Sequence, residues 1–349
     1  MSRLDDVYEL VSISSVSHHE SALADHVEAA LRTSGFLEVD RIGDNVVART
    51  VGEHATRVIV AGHLDTVPGD ASLARREGDV LTGLGACDMK GSLAVMLALA
   101  REETPRASEV TWIFYAREEI SRDESGLSEL RQRRPELLDG DVAVLCEPTA
   151  GVVEAGCQGT LRVRVDIVGE RAHTARPFTG RNAIHRAGDV ITRVAHYEPR
   201  RVELDGVEYC DQLQVVFVEG GVAPNVVPDA ATVTINHRVA PDRSRDEAVV
   251  WLRDYLGDLL EDADTLSVID WAPSAPPSLT NERLSALVEL TGGPVRGKLG
   301  WTDVATFYEL SIPATNFGAG DPLLAHRSDE MITGREVEDF ERVLREWLG

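Results

Sequence analysis

Apolar residues follow two different patterns along this chain. Up to about residue 156 they come in short, nearly continuous runs: "VVARTV", "RVIVAGH", "VTWIFYA" and "VAVLCEP". Runs of that length suit strands covered on both faces. Helical stretches such as "GSLAVMLALARE" and "GLSELRQRR" lie between several of them. Near the start, "SHHESALADHVEAALRTSG" repeats Leu23, Val27, Ala30 and Leu31 on one helical face, with Ser17 and Glu20 at capping-box spacing and Gly35 as a stop. Strands alternating with helices predict an α/β domain, a mixed sheet flanked by helices.

The pattern changes near residue 157. "TLRVRVDIVG", "QLQVVFVEGG" and "ATVTINHRV" alternate apolar and polar side chains, as strands with one open face do. Two amphipathic helices are predicted among them, in "NAIHRAGDVITRVAHY" and "SRDEAVVWLRDYLGDLLED". The proline-rich "WAPSAPPSLT" reads as a linker, after which the α/β pattern returns. The expectation is a first domain of residues 1–156 and 274–349, interrupted by a smaller α+β domain at 157–273. A length of 349 residues already exceeds one ordinary core.

Composition narrows the function. Thirty-five basic against 59 acidic residues give a net charge of −24, which repels nucleic acid and anionic membranes. An anionic substrate would therefore need local arginines. No run of about 20 apolar residues is present, and "MSRLDDVYEL" lacks the basic-then-apolar order of a signal peptide. The cytoplasm is the expected compartment. Cys87, Cys146, Cys157 and Cys210 form no CxxC pair and read as reduced packing residues.

Candidate metal ligands gather at strand ends: His63 and Asp65 in "AGHLDTVP", Asp88 in "CDMKGS", Glu118 and Glu119 in "FYAREEIS", and Glu147 in "CEPT". His326, in "LLAHRSDE", adds another from the C-terminal region. Taken singly each has a plain explanation: His63 as a satisfied core residue, Asp88 as a helix N-cap, the glutamates as solvated. Taken together they share the carboxyl edge of the inferred sheet, where ligands bind in open α/β folds. His63 and Asp65 lie two apart on an extended segment and share a face, so Asp65 suits the role of orienting a ligating His63. Spacing alone lets either glutamate of the pair be the ligand.

In this order, "AGHLDTVP", "CDMKGS", "REE", "CEPT", "GERAHTARP" and "LLAHRSDE" resemble the dizinc aminoacylase/acetylornithine deacetylase superfamily. Within it, "EAGCQGTLRV", "AHTARPFTGRNAIH" and "KLGWTDVATF" are most similar to the succinyl-diaminopimelate desuccinylase family in its actinobacterial form. The resemblance spans nearly the whole chain. It implies two zinc ions, with cobalt or manganese an option at one site. His63 would bind one zinc with Glu147, His326 the other with Glu119, and Asp88 would bridge them. The family often has a cis peptide after that aspartate. Glu118 would be the general base. His173, from an inserted lid/dimerisation domain of a partner subunit in a homodimer, would help hold the oxyanion.

The implied substrate is a small N-acyl amino acid, N-succinyl-LL-diaminopimelate, held by Arg176, Asn225, Arg238 and Thr302. Two departures stand out: Gln158 lies near a position where better-known desuccinylases carry arginine, and Leu84 replaces a common arginine. Deacetylation of acetylornithine, cleavage of dipeptides, and a non-catalytic metal-bound regulator are the competing readings.

Overall fold

In a computed structural model describing residues 2–104, 106–327 and 329–349, the continuous apolar runs lie side by side in one sheet. Its eight strands are, in spatial order, Leu37–Ile42, Asn45–Thr50, Glu109–Tyr115, Arg57–His63, Val142–Leu145, Ala314–Asn316, Glu154–Ala155 and Arg296–Gly297. Four central strands, Glu109–Tyr115, Arg57–His63, Val142–Leu145 and Ala314–Asn316, run parallel, and antiparallel strands flank them. The fold is the mixed α/β sheet expected. All seven residues of Glu109–Tyr115 are buried. Helices Arg3–Val11, Ser21–Arg32, Gly91–Ala100 and Gly334–Leu348 send Leu10, Leu23, Leu93 and Phe340 into the same core as Val60 and Trp112.

Parallel strands carry the residues that follow them to one edge. His63 ends its strand in register with Tyr115, three residues before Glu118. The Ala86–Lys90 turn precedes helix Gly91–Ala100, and its Asp88–Met89 peptide is cis. Gly62 lets this turn approach, because a Cβ there would meet the Met89 Cε at 2.5 Å and the Leu93 Cδ2 at 3.0 Å.

The chain divides into a unit of residues 1–156, 277–296 and 303–349 and a second unit of 157–276 and 297–302. The sequence pattern had left 274–276 and 297–302 with the first. Lys298 holds the Gln158 N–H through its carbonyl at 3.0 Å, and the Trp301 indole donates to Pro273 at 3.0 Å. These bonds tie the short segment to the second unit. That unit's antiparallel sheet has the order Gln212–Gly220, Ala230–Val239, Gly159–Val168, Thr265–Ala272. Leu161, Val163, Val165 and Ile167 pack with Ala187 and Val190 of helix Ala183–Ala195 and Leu252 of helix Arg245–Leu256. The alternate residues face outward, as the pattern predicted.

Candidate active site

His63, Asp88 and Glu119 offer ligand atoms that all lie within 4.8 Å of one another, a spacing one cation can close. Asp88 is shared. Its Oδ1 lies 3.0 Å from His63 Nε2 and its Oδ2 lies 3.5 Å from His326 Nε2. His326 Nε2 also reaches Glu119 Oε1 at 2.8 Å. Two imidazoles and carboxylates converging in this way fit the donor chemistry of a metal centre, which His63, Asp88, Glu119 and His326 would hold. Glu147, two residues beyond strand Val142–Leu145, is buried, and its charge acts on both His63 and Glu118.

The backbone past strand Glu109–Tyr115 explains how neighbouring glutamates serve one centre. Three consecutive N–H groups donate to buried carboxylates: Arg117 to Glu20 Oε1 at 3.1 Å, Glu118 to Asp65 Oδ1 at 2.9 Å, and Glu119 to Asp65 Oδ2 at 3.0 Å. Arg117 adopts φ 61°, a left-handed conformation that ends the strand. Two adjacent carboxylates are thereby turned off the strand's alternation. Asp65 lies nearer to His63 through its backbone carbonyl than through the carboxylate expected to orient the ring: His63 Nδ1 is 2.9 Å from the Asp65 carbonyl and 3.5 Å from its Oδ1. Its carboxylate is engaged by the glutamate turn and by Ser17 Oγ at 2.8 Å.

Ser17 and Glu20 therefore do not form the capping box their spacing suggests. Helix Ser21–Arg32 starts at Glu20 without a side-chain cap, and both side chains brace the site instead. Sequence reasoning missed this role, because a capping-box spacing is a local signal and their partners, Asp65 and Arg117, are far along the chain.

Burial alone would raise the Asp88 carboxyl, but hydrogen bonds from His326 and His63 outweigh it and hold the group below the usual carboxylate range. The same bonds to Asp88 and Glu119 raise His326 to about 10. Burial would lower His63, yet Asp65 and Asp88 push it well up. Glu118 is pushed well above the ordinary range by desolvation and then by Glu147. Cations at the centre would act in the opposite direction on Glu118. Burial raises the Cys87 and Cys146 thiols, which fits packing residues rather than thiolate ligands.

The inserted unit places its predicted residues in two groups. His173 pairs in register with Val226, and the Thr174 N–H donates to the Asn225 carbonyl at 3.2 Å. Arg176 follows in the same turn, its N–H on the His173 carbonyl at 2.8 Å. The Ala175 N–H donates to His173 Nδ1 at 3.0 Å, which leaves the ring proton of neutral His173 on Nε2. Arg238 stands apart, near the far end of strand Ala230–Val239. It is half-buried and donates to Thr160 Oγ1 at 2.6 Å, and no carboxylate partner is found for it among the described residues. Thr302 is buried, and its carbonyl lies 3.5 Å from the Cys157 Sγ.

Gln158 is fully buried, and its amide is committed to Cys210. Its Nε2 donates to the Cys210 carbonyl at 3.0 Å, and its Oε1 accepts the Cys210 N–H at 3.3 Å. The residue near the family's arginine position is thus a backbone clamp.

Residues 59–348 match the description Peptidase family M20/M25/M40. A Mycobacterium tuberculosis protein provisionally named succinyl-diaminopimelate desuccinylase is 48% identical over 344 residues, spanning 97% of this chain and 96% of its own. A Corynebacterium glutamicum succinyl-diaminopimelate desuccinylase is 42% identical over 346 residues, spanning 97% and 94%. Among solved structures, a Staphylococcus aureus tripeptidase aligns with a TM-score of 0.80 over 99% of this chain and 97% of its own, at 19% identity, a likeness of fold. No described helix is long and apolar enough to cross a membrane.

Proposed function

The chain belongs to peptidase family M20/M25/M40, and from that premise we propose that it is a zinc-dependent desuccinylase. It hydrolyses the amide of N-succinyl-LL-2,6-diaminopimelate to succinate and LL-2,6-diaminopimelate, on the way to lysine and peptidoglycan precursors. The observation that carries the metal chemistry is the Asp88 carboxylate, with one oxygen toward His63 and the other toward His326. The likeness to relatives of that name carries the choice of substrate.

His63, Asp88 and Glu147 would hold one zinc, and His326, Asp88 and Glu119 the other. Nitrogen and oxygen donors without thiolate suit catalytic zinc, and cobalt or manganese would accept the same donors at one position. When bound, such a pair polarises the scissile carbonyl and makes a nearby water more acidic. The chain's own residues do the rest. Glu118 takes the proton of the attacking water and returns it to the leaving nitrogen. Asp65 holds Glu118 and Glu119 in place through their N–H groups. His173, with its proton on Nε2, donates to the oxyanion. Arg238, without a carboxylate partner among the described residues, anchors a substrate carboxylate, and Arg176, Asn225 and Thr302 complete the pocket.

The active form is a homodimer built on the inserted unit, which serves as lid and dimerisation domain. Strand Gln212–Gly220 lies at the sheet edge with Phe217 67% exposed and Val216 and Val218 beside it. Such an edge calls for a covering partner. His173 and Arg238 sit near opposite ends of the inserted sheet, with most of the 10-residue strand Ala230–Val239 between them, which suits a site drawing on both subunits. The enzyme works in the cytoplasm. Kinetics on the zinc-restored protein with N-succinyl-LL-diaminopimelate, N-acetylornithine and unmodified dipeptides test the reading. A higher kcat/KM on the succinyl substrate is expected, and a preference for either other class would replace it.

A further inference from the structure

One buried carboxylate beside the site does not face its centre. Glu330 is 1% exposed, and its Oε1 accepts the N–H groups of Cys87 and Asp88, both at 2.8 Å. Its carbonyl accepts the Gly83 N–H at 2.9 Å. Burying a carboxylate is costly unless hydrogen bonds compensate, and here they hold the stretch that carries Asp88.

That stretch needs an outside partner. Asp88 and Met89 have non-helical backbone angles (φ −118°, ψ 91° and φ −135°, ψ 33°), so the turn departs from helical geometry where Asp88 sits. Loss of the Glu330 side chain would strand two N–H groups beside a buried turn. Glu330 also follows His326 by four residues. One short stretch of chain therefore carries His326 and the brace for Asp88.

We infer that Glu330 is a positioning residue that couples Asp88 to His326, fixing the shared carboxylate relative to the histidine that faces its second oxygen. It touches neither substrate nor reacting atoms. The inference rests on Asp88 and His326 being metal ligands.

The test is a zinc titration of the full-length, metal-stripped protein against a competing chromophoric chelator, with thermal midpoints measured in parallel. Wild type is expected to take up two zinc ions. Glu330→Ala is expected to weaken at least one of them by about 10–100-fold. Glu330→Gln keeps a carbonyl able to accept both N–H groups and should recover most of that affinity. Dissociation constants for Glu330→Ala equal to wild type overturn the inference, even if its thermal midpoint falls. A wild type that binds no zinc overturns the ligand reading itself. Should Glu330→Ala fail to fold, Glu330→Asp, which keeps the charge but draws the acceptor back, carries the same expectation and the same refutation.

Discussion

Strand Glu109–Tyr115 buries every residue, whereas strand Gly159–Val168 from Leu161 onward buries only alternate ones, Leu161 to Ile167, against its two helices. A sheet covered on both faces has no side-chain surface left for chemistry. Its polar groups can emerge only where strands end, and in a parallel arrangement those ends share an edge. His63, Glu118, Glu119 and Glu147 all emerge there. The inserted sheet has an open face and an uncovered edge. It presents Arg238 from the face and Phe217 from the edge, while His173 sits on a separate two-residue strand. The first sheet gathers its polar groups into a dense, desolvated centre, whereas the second holds its candidate residues apart from one another.

The sharpest way to break this contrast is at the dense centre. Glu118→Gln should lower kcat by about 10²–10⁴-fold while zinc content, measured by mass spectrometry of the purified protein, stays at wild type. Loss of metal along with activity would make Glu118 a ligand, and unchanged kcat would remove it from the chemistry. At the open edge, Phe217→Arg should yield monomers in sedimentation analysis. On the proposed dimeric reading, in which His173 comes from the partner subunit, activity should fall about 10²–10³-fold, the size of a lost oxyanion donor. Measured at concentrations where wild type is also monomeric, folding stability should move by no more than about 0.5 kcal/mol, since Phe217 is exposed in the single chain. A fully active monomer would confine the site to one chain.

The same contrast decides what the sequence disclosed. Continuous runs and alternating strands mark the two sheets because burial on two faces or one writes directly onto the side-chain pattern. The positions of His63, Asp88, Glu118, Glu119, Glu147 and His326 were legible as chemistry-bearing residues at strand ends and turns. Their supports were not. Ser17 and Glu20 have the spacing of a helix cap, yet bond to Asp65 and to the Arg117 N–H. Glu330 looks like one more acid in an acidic chain, and only the fold brings it 2.8 Å from the Asp88 N–H. Asp65 meets His63 chiefly through its backbone carbonyl, while its carboxylate takes the two glutamate N–H groups. A bond between a side chain and a distant backbone leaves no periodic trace, so support of this kind appears only in the folded chain.

Gln158 supplies the smallest and most discriminating test. Its place near a family arginine suggests a substrate contact, but both ends of its buried amide are spent on the Cys210 backbone. Gln158→Ala would leave that N–H and carbonyl without this partner, at a cost of about 1–3 kcal/mol in denaturant unfolding. KM for the succinyl substrate should not change, because both polar atoms of the buried Gln158 amide already bond to the Cys210 backbone. A raised KM with unchanged stability would give the side chain back to the pocket. The anchoring now assigned to Arg238 would then have to be shared between them.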